Sequence, residues 1–416
     1  MNLRIDRALP IVLALTLAIA LANLKSATSL RPADFNKQVV FLCLSIVVIA
    51  LVVYTPTKLW ERLSFWIWLG VLVLLIAVLL VGPVVNGSRR WLALGGLRVQ
   101  PSEFAKLAVI LLTAKFMSQQ KRHDEPWSIS ELLRPLNVSR PALLVGLMLL
   151  RGDRLGLGYW PLAVTAVLWM VVAVVVGART GFRQRLIAPV DLVLIPAALV
   201  YIEPDLGTSL VILACGAGVF WGAGIRAPSW RWSLAAVPVL GGVAWFAWNF
   251  MLLPYQKMRI LGVINPKAGA QDIGYHTIQS VNAIANGGVL GQGMGAGAQS
   301  QTARLPEHHT DFIFAVLAEE WGLIGSLLVL ALLATIVLLI IDGAQNSQSR
   351  FLELCGYGVA TLFSVQVVVN VGMVSGILPV VGMTLPLFSY GGSSLLSLSF
   401  ALGLMIHTRS RRTGMA

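Results

Sequence analysis

The sequence has few charged residues and almost no cysteine. Of its 416 residues only 12% are charged and 57% are apolar, and the mean hydropathy is +0.80. A soluble domain carries about 25% charged residues, so this composition excludes a water-soluble globule. The cysteines, Cys43, Cys215 and Cys355, lie within apolar runs without CxxC spacing, which predicts small core residues and neither disulfides nor metal ligands.

Apolar runs long enough to cross about 30 Å of hydrocarbon recur along the chain. They lie at 9–25, 38–54, 65–83, 103–118, 159–177, 187–202, 207–224, 233–253, 316–341, 352–374 and 393–408. The runs are continuous and lack the strict alternation of a membrane β-barrel. Because an α-helix satisfies its own backbone within the bilayer, they predict an all-α, polytopic integral membrane bundle. The first run lacks a convincing cleavage site, which predicts a retained span.

The formal net charge of +13 would indicate nucleic acid in a soluble protein. Here we interpret it as a topology signal and predict no nucleic-acid partner, because basic residues accumulate on the cytoplasmic side of membrane spans. With the N-terminus inside, most basic residues fall inside and both termini are cytoplasmic. A minority, among them Arg89, Arg90 and Lys257, fall outside, which an anionic ligand on the outer face would explain.

We expect a single transmembrane domain over residues 1–416, with ten spans and two irregular parts. The first is an inserted segment, 119–188, in which 141–177 forms an extra hairpin or a half-inserted segment followed by one span. The second is a large outward loop, 254–310, which is polar and rich in glycine. In addition, the glycines and prolines of 377–392 predict broken backbone that lines a polar cavity.

Ionisable residues in or near the spans are functional candidates because burying a charge in hydrocarbon is costly. Glu103 and Lys106 have the spacing of a pair on one helical face, and either a structural pair or a ligand site explains them. Asp205, which follows Glu203 and Pro204, is placed to cap a helix or to bind a ligand. Two further acids, Glu319 and Glu320, lie deeper and need partners.

Other motifs allow competing interpretations. His308 and His309 diverge on a helix and lack HxxxH spacing, which argues against zinc. The glycine-rich GGVLGQGMGAGAQ has no nucleotide-binding signature, so it serves compact backbone packing or offers amides to phosphate. Arg89 and Arg90, beside Trp91, are suited either to a lipid-linked phosphate or to anchoring at phospholipid headgroups.

Several blocks together resemble the shape, elongation, division and sporulation (SEDS) family, and within it the elongation branch. In chain order they read NGSRRWLALGGLRVQPSEFAKLAVI, EPDLGTSLV, GYHTIQSVNAIANGGVLGQG, LPEHHTDFIFAVLAEE and NVGMVSGILPVVGMTLPLFSYGGSS. The resemblance implies a multi-pass glycosyltransferase of the bacterial inner membrane that polymerises lipid II into peptidoglycan during cell elongation and shape maintenance. It also implies a class B penicillin-binding transpeptidase as partner, besides the nascent glycan strand and membrane lipids.

The chemistry implied is attack of a sugar 4-hydroxyl on an anomeric carbon, with undecaprenyl pyrophosphate as leaving group. It requires a carboxylate base and cationic groups for the diphosphate. The family pattern places an acid before the Gly-Tyr pair, but the ungapped position here is Gly269, and Asp272 is the only carboxylate between Pro254 and Glu307. We therefore predict Asp272 as the base; the alternative is a turn aspartate in a chain whose catalysis is weakened or supplied differently.

The remaining predicted site residues are substrate-binding. Block matching assigns Arg89, Arg90, Glu103, Lys106, Glu319, Glu320 and Ser389 to the lipid-binding cavity. Charge alone assigns Lys257, Arg259, Lys267 and Arg304 to the diphosphate. A divalent cation, Mg²⁺ or Mn²⁺, is compatible with this chemistry, although no ligand cluster indicates one. The rival hypotheses are a lipid II flippase and a non-catalytic scaffold for the transpeptidase.

Overall fold

The computed structural model describes most of the bundle. The described residues are 7–29, 31–84, 88–94, 97–120, 189–225, 254–264, 273–297 and 309–412, with isolated positions between 241 and 252. The predicted hairpin at 141–177 and nearly all of the inserted segment 119–188 lie outside them. So do three predicted site residues, Asp272, Lys267 and Arg304.

Helices occupy every predicted apolar run that the described residues cover. They are α1 (Ala8–Ala27), α2 (Pro32–Tyr54), α3 (Thr57–Val81), α4 (Pro101–Gln120), α5 (Asp191–Ile202), α6 (Leu206–Gly222), α7 (Pro254–Ile264), α8 (Ile273–Gly287), α9 (Ile313–Gln345), α10 (Arg350–Val374) and α11 (Gly392–Arg412). Among the described residues, α1, α2, α3, α9 and α10 are long and apolar enough to cross a membrane, and α5 and α6 are shorter apolar helices. The predicted all-α, polytopic class is confirmed.

The helix boundaries follow local chemistry. Proline occupies the first turn of α2, where its missing N–H costs nothing. The side chain of Asp205 accepts a hydrogen bond of 3.2 Å from the amide of Thr208 and so caps α6. The capping role that the sequence offered for Asp205 is therefore confirmed.

Two elements differ from the sequence-based expectation. Strands β1 (Leu92–Leu94) and β2 (Leu97–Val99) form an antiparallel hairpin, with Leu92 opposite Val99. In the sequence, the feature that indicates this hairpin is the Gly95–Gly96 dipeptide between two short, largely apolar segments. The segment 254–310, expected to be loop, contains α7 and α8. Helix α8 packs on α7, α9 and α10, and such packing of an amphipathic face supplies most of the stability of a short helix.

Helix α4 lies at the centre of the bundle. It contacts α3, α5, α6, α10 and α11, and every residue from Ala105 to Ala114 is buried. A helix that is buried on all sides belongs in the interior. The start of this helix is therefore enclosed by protein, and side chains there are set by packing.

Helices α6 and α10 pack closely through small residues. A Cβ atom added to Gly218 would lie 2.1 Å from Oγ1 of Thr361, and one added to Gly222 would lie 2.3 Å from the ring of Tyr357. Small residues four apart let two helix backbones approach within a membrane. This contact fixes α6, whose first turn contains the Asp205 cap, against α10.

We predict that Gly218→Ala lowers the unfolding temperature of the purified protein. The added methyl group overpacks the contact with Thr361, which typically costs about 1–3 kcal/mol. The control is Gly70→Ala in α3, where the added Cβ meets nothing within 4 Å and helix propensity improves. Thermal unfolding in detergent measures both variants; equal midpoints would contradict the close packing of α6 on α10.

Candidate functional site

Several helices begin at one end of the bundle and are joined there by polar contacts. The amide of Gln100, just before α4, donates to Oγ of Ser393 in α11 at 3.1 Å. Its side-chain Nε2 donates to Oδ2 of Asp205, the cap of α6, at 3.3 Å. We call the end of the bundle where α4, α6 and α11 begin the site end. Three helix N-termini therefore share one polar cluster.

The segment between α10 and α11, residues 375–391, is not helical, as its glycines and prolines predicted. Asn370 of α10 holds it by donating from Nδ2 to the carbonyls of Asp311 and Met383. The hydroxyl of Ser389 donates to the Thr310 carbonyl at 2.6 Å and accepts from the Leu385 amide at 2.8 Å. This irregular backbone is thus tied to the start of α9.

Sequence reasoning missed Gln38, a buried side chain of α2. Its Nε2 donates to the Ser389 carbonyl at 3.4 Å, and its Oε1 accepts from the Gly391 amide at 3.2 Å. The sequence feature that could have indicated it is a single amide side chain at the start of the apolar run 38–54. Gln38 therefore connects α2 to the same segment that Asn370 and Ser389 hold.

Glu103 and Lys106 form a buried ion pair in α4. Nζ of Lys106 lies 2.7 Å from Oε2 of Glu103, and the two side chains are 2% and 9% exposed, respectively. The Glu103 carbonyl also accepts a hydrogen bond of 2.9 Å from Ser397 of α11. The pairing that the sequence predicted is confirmed, whereas a direct role in substrate binding stays a prediction.

Arg89 and Arg90 have backbone partners. Arg89 donates to the carbonyls of Leu79 and Leu80 at the end of α3, both at 3.2 Å. Arg90 donates to the carbonyls of Glu203 and Pro204 in the turn before α6. A guanidinium has five N–H donors, so these contacts orient both arginines and leave further donors. Their contact with phosphate stays a prediction.

Glu203 is fully buried in the turn between α5 and α6. Neither carboxylate oxygen has a hydrogen-bond partner among the described residues. Burial, followed by the neighbouring carboxylate of Asp205, raises the pKa of Glu203 well above its usual value, and the Arg90 guanidinium only partly opposes this. Burial therefore favours the neutral form of Glu203.

The remaining described site residues of the helices lie in α7 and α9. Glu319 and Glu320 of α9 are buried, and Oε1 of Glu320 accepts a hydrogen bond from Ser26 of α1. Nζ of Lys257 in α7 lies 5.7 Å from the ring centroid of Trp248, a cation–π geometry. Contact of these three residues with a ligand stays a prediction, as it does for Ser389.

The described residues also limit where a metal or a phosphate would bind. Among them, no group of three His, Cys, Asp or Glu side chains is placed to hold a metal ion. His309 is buried, with its ring 5.8 Å from that of Tyr390. In the glycine-rich segment, the amides of Gly291, Gln292 and Gly293 donate to backbone carbonyls. Compact packing is therefore the right interpretation there, and a phosphate cradle at these amides is wrong.

The expected core position of the cysteines is confirmed for two of the three. Cys215 and Cys355 are buried, and all three thiols are free. Cys43 is exposed on α2, so the expectation of a core position is wrong there. An apolar run in the membrane has a lipid-facing side as well as a packed side, and sequence alone does not separate the two.

Comparison with known proteins identifies related sequences. The family model for the FtsW, RodA and SpoVE cell cycle proteins matches residues 5–183 and 162–413. The peptidoglycan glycosyltransferase MrdB of Escherichia coli K12 is 32% identical over 414 residues, which cover 99% of this chain and 95% of that protein. The probable peptidoglycan glycosyltransferase FtsW of Coxiella burnetii is 32% identical over 378 residues, covering 89% and 85%.

Solved structures show the same similarity. A chain from a peptidoglycan synthase complex, described as coordinating polymerization and crosslinking, superposes with a TM-score of 0.72 at 28% identity. That match covers 99% of this chain and 100% of the other. The rod shape determining protein RodA of Thermus thermophilus gives a TM-score of 0.62 at 26% identity, covering 99% and 98%.

We predict that Lys106→Met lowers the unfolding temperature strongly, because it leaves the Glu103 carboxylate buried without its counter-charge. Breaking a buried pair in this way typically costs about 3–5 kcal/mol. The double variant Glu103→Gln/Lys106→Met removes both charges, so its midpoint should return towards that of the unmodified protein. Thermal unfolding of the two single variants and the double variant measures the coupling; additive effects would contradict a structural pair.

Proposed function

We infer the function from family membership: the chain belongs to the FtsW, RodA and SpoVE family of cell cycle proteins, and it is a peptidoglycan glycosyltransferase. The structural observation that supports this function most directly is a set of hydrogen bonds between the blocks of the family resemblance. The blocks around Gln100, Asp205, Thr310 and Ser389, which are distant in sequence, are joined by hydrogen bonds at the site end. Residues that carry the family resemblance therefore form one cluster.

The reaction is polymerisation of lipid II into glycan strands. The 4-hydroxyl oxygen of one sugar forms a bond with the anomeric carbon of another, and the bond from that carbon to the diphosphate oxygen breaks. The hydroxyl proton passes to a base, and the diphosphate leaves with its negative charge. The protein must therefore supply a proton acceptor and an environment that stabilises an anion.

Asp272 is the proposed proton acceptor. It is the only carboxylate between Pro254 and Glu307, and it directly precedes α8, which begins at Ile273. A carboxylate accepts the hydroxyl proton most effectively when it is held within hydrogen-bond distance of the nucleophile. The attachment of Asp272 to the start of a packed helix supports this role.

The diphosphate is proposed to bind near the site end. Helix N-termini carry partial positive charge, and α4, α6 and α11 all begin there. Further cationic contacts would come from Lys257, Lys267 and Arg304 of the segment 254–310, and from the unused donors of Arg89 and Arg90. The Lys106 ammonium compensates the charge of the Glu103 carboxylate, which limits its repulsion of an anion.

Localisation and partners complete the proposal. The chain is a multi-pass membrane protein, and we place it in the bacterial inner membrane with both termini in the cytoplasm. Its similarity to a chain of a peptidoglycan synthase complex supports assembly with a class B penicillin-binding transpeptidase. The relatedness to MrdB and RodA supports a role in cell elongation and shape.

We predict that Asp272→Asn abolishes glycan polymerisation, because an amide keeps the shape of the carboxylate but does not accept the proton. Purified protein with lipid II, analysed for glycan polymer, measures this. The control is Asp34→Asn, which removes a pair with Lys37 at 3.4 Å whose lysine side chain is 63% exposed. Such pairs contribute about 0–1 kcal/mol, so polymerisation should persist.

The same assay separates the rival functions. Polymer formation by the Asp272→Asn variant at the rate of the unmodified protein would refute the assigned base. Transbilayer movement of lipid II without polymer, measured in vesicles, would indicate a flippase. Neither polymer nor movement, with retained binding of the transpeptidase, would indicate a scaffold.

A further inference from the structure

Helix α9 is interrupted within its length. Gly322 has φ 66° and ψ −163°, which is not helical, although helix continues on both sides of it. A break of this kind removes the i→i−4 partners of the neighbouring amides and carbonyls. Unsatisfied backbone groups cost several kcal/mol each in a bilayer, so the break requires partners from elsewhere in the protein.

The loop after α8 supplies those partners. The amides of Gln292 and Gly293 donate to the carbonyls of Glu319 and Glu320, each at 3.0 Å. In the opposite direction, the amides of Leu323 and Ile324 donate to the carbonyls of Gly288 and Val289 at 3.0 and 3.2 Å. We call residues 287–293 and 318–324, joined by these four bonds, the glycine clasp.

Three glycines make the contact sterically feasible. A Cβ atom on Gly291 would lie 2.2 Å from the Glu320 carbonyl oxygen, and one on Gly287 would lie 2.0 Å from that of Ala318. A Cβ atom on Gly322 would lie 2.3 Å from the amide nitrogen of Gly291. Each of these atoms is backbone, which has little freedom to move aside. The close approach therefore requires glycine at all three positions.

The clasp holds α8 against the bundle. The hydroxyl of Ser280 in α8 donates to the Val374 carbonyl at the end of α10 at 2.8 Å. On the α9 side, the hydrogen bond from Ser26 to Glu320 fixes the first half of α9 to α1. Helix α8 is thus held at its C-terminal end by the clasp and at Ser280 by the end of α10, while its first residue directly follows Asp272.

We propose that the glycine clasp positions α8 for the transfer reaction, with Gly287, Gly291 and Gly322 as positioning residues. They act through the placement of α8 and do not touch substrate. The inference rests on the proposed function, because α8 matters to catalysis only if the chain that leads into it carries the base. Misplacing a catalytic group by about 1 Å can cost about 100-fold in rate, so a small shift of α8 is sufficient.

The decisive comparison is Gly291→Ala with Gly295→Ala. Both glycines have positive φ, +83° and +76°, so both substitutions carry the same kind of backbone strain. Only at Gly291 does the new Cβ meet backbone, whereas at Gly295 nothing lies within 4 Å. The difference between the two variants therefore reports the close approach to α9 and not the strained backbone.

Three readouts are needed. Hydrogen exchange at the amides of Gln292, Gly293, Leu323 and Ile324 reports whether the clasp is closed. Polymerisation kinetics with lipid II give kcat and KM, and thermal unfolding gives the stability of the bundle. For Gly291→Ala we expect lost amide protection, a lower unfolding midpoint, and a fall in kcat of at least about tenfold at temperatures where the variant is still folded, with KM nearly unchanged. Gly295→Ala should retain the amide protection and kcat.

The outcomes separate the inference from the function on which it rests. Lost amide protection with unchanged kcat would overturn the positioning role, and so would a kcat equal to that of the unmodified protein when both are measured well below the unfolding midpoint of the variant. If Gly291→Ala does not fold, Gly287→Ala tests the same contact with the Ala318 carbonyl under the same criteria. If the unmodified protein forms no polymer, the proposed function fails, while protection of the four amides still reports the clasp itself.

Discussion

The structure depends on the requirement that backbone N–H and C=O groups within a bilayer find partners inside the protein. Continuous helices meet this requirement on their own, and most of the chain uses them. The break at Gly322 in α9 and the irregular segment 375–391 cannot do so. The first is satisfied by the backbone of the loop after α8, and the second by Asn370, Ser389 and Gln38. Both solutions join segments that are distant in sequence, so each also fixes the positions of several helices.

This requirement explains why many conspicuous polar residues at the site end have structural partners. Arg90 binds carbonyls of the turn that leads into α6, and Asp205 caps that helix. Glu103 and Lys106 neutralise each other in α4, the central helix of the bundle. A site that uses helix ends and irregular backbone needs such contacts before it can bind anything, because preorganised groups stabilise a developing charge without rearranging. Under the proposed function, structural and catalytic roles are therefore linked at this end of the bundle.

Much of the fold could be predicted from the sequence because its signals are local. Apolar runs gave the spans, the prolines and glycines of 377–392 gave the broken segment, and Asp205 and the Glu103–Lys106 spacing gave a cap and a pair. The glycine clasp could not be predicted in the same way. Positive φ at Gly291 and the break at Gly322 depend on contact between segments about 30 residues apart, and nothing within either segment specifies the other. Gln38 was missed for the same reason, since its partners lie more than 350 residues away.

The fixed position of α8 bears on which residue can serve as the base. Counted from Asn265–Pro266, the family acid would fall at Gly269, three residues before Asp272. Attachment to α8 favours Asp272, because one peptide bond joins it to Ile273 and their Cα atoms are about 3.8 Å apart. An acid at position 269 would be joined to Ile273 through four peptide bonds, so their Cα atoms could lie up to about 14 Å apart. If α8 is the element that is fixed on the bundle, an acid closer to it is held more tightly, and the shift along the sequence is compatible with retained catalysis.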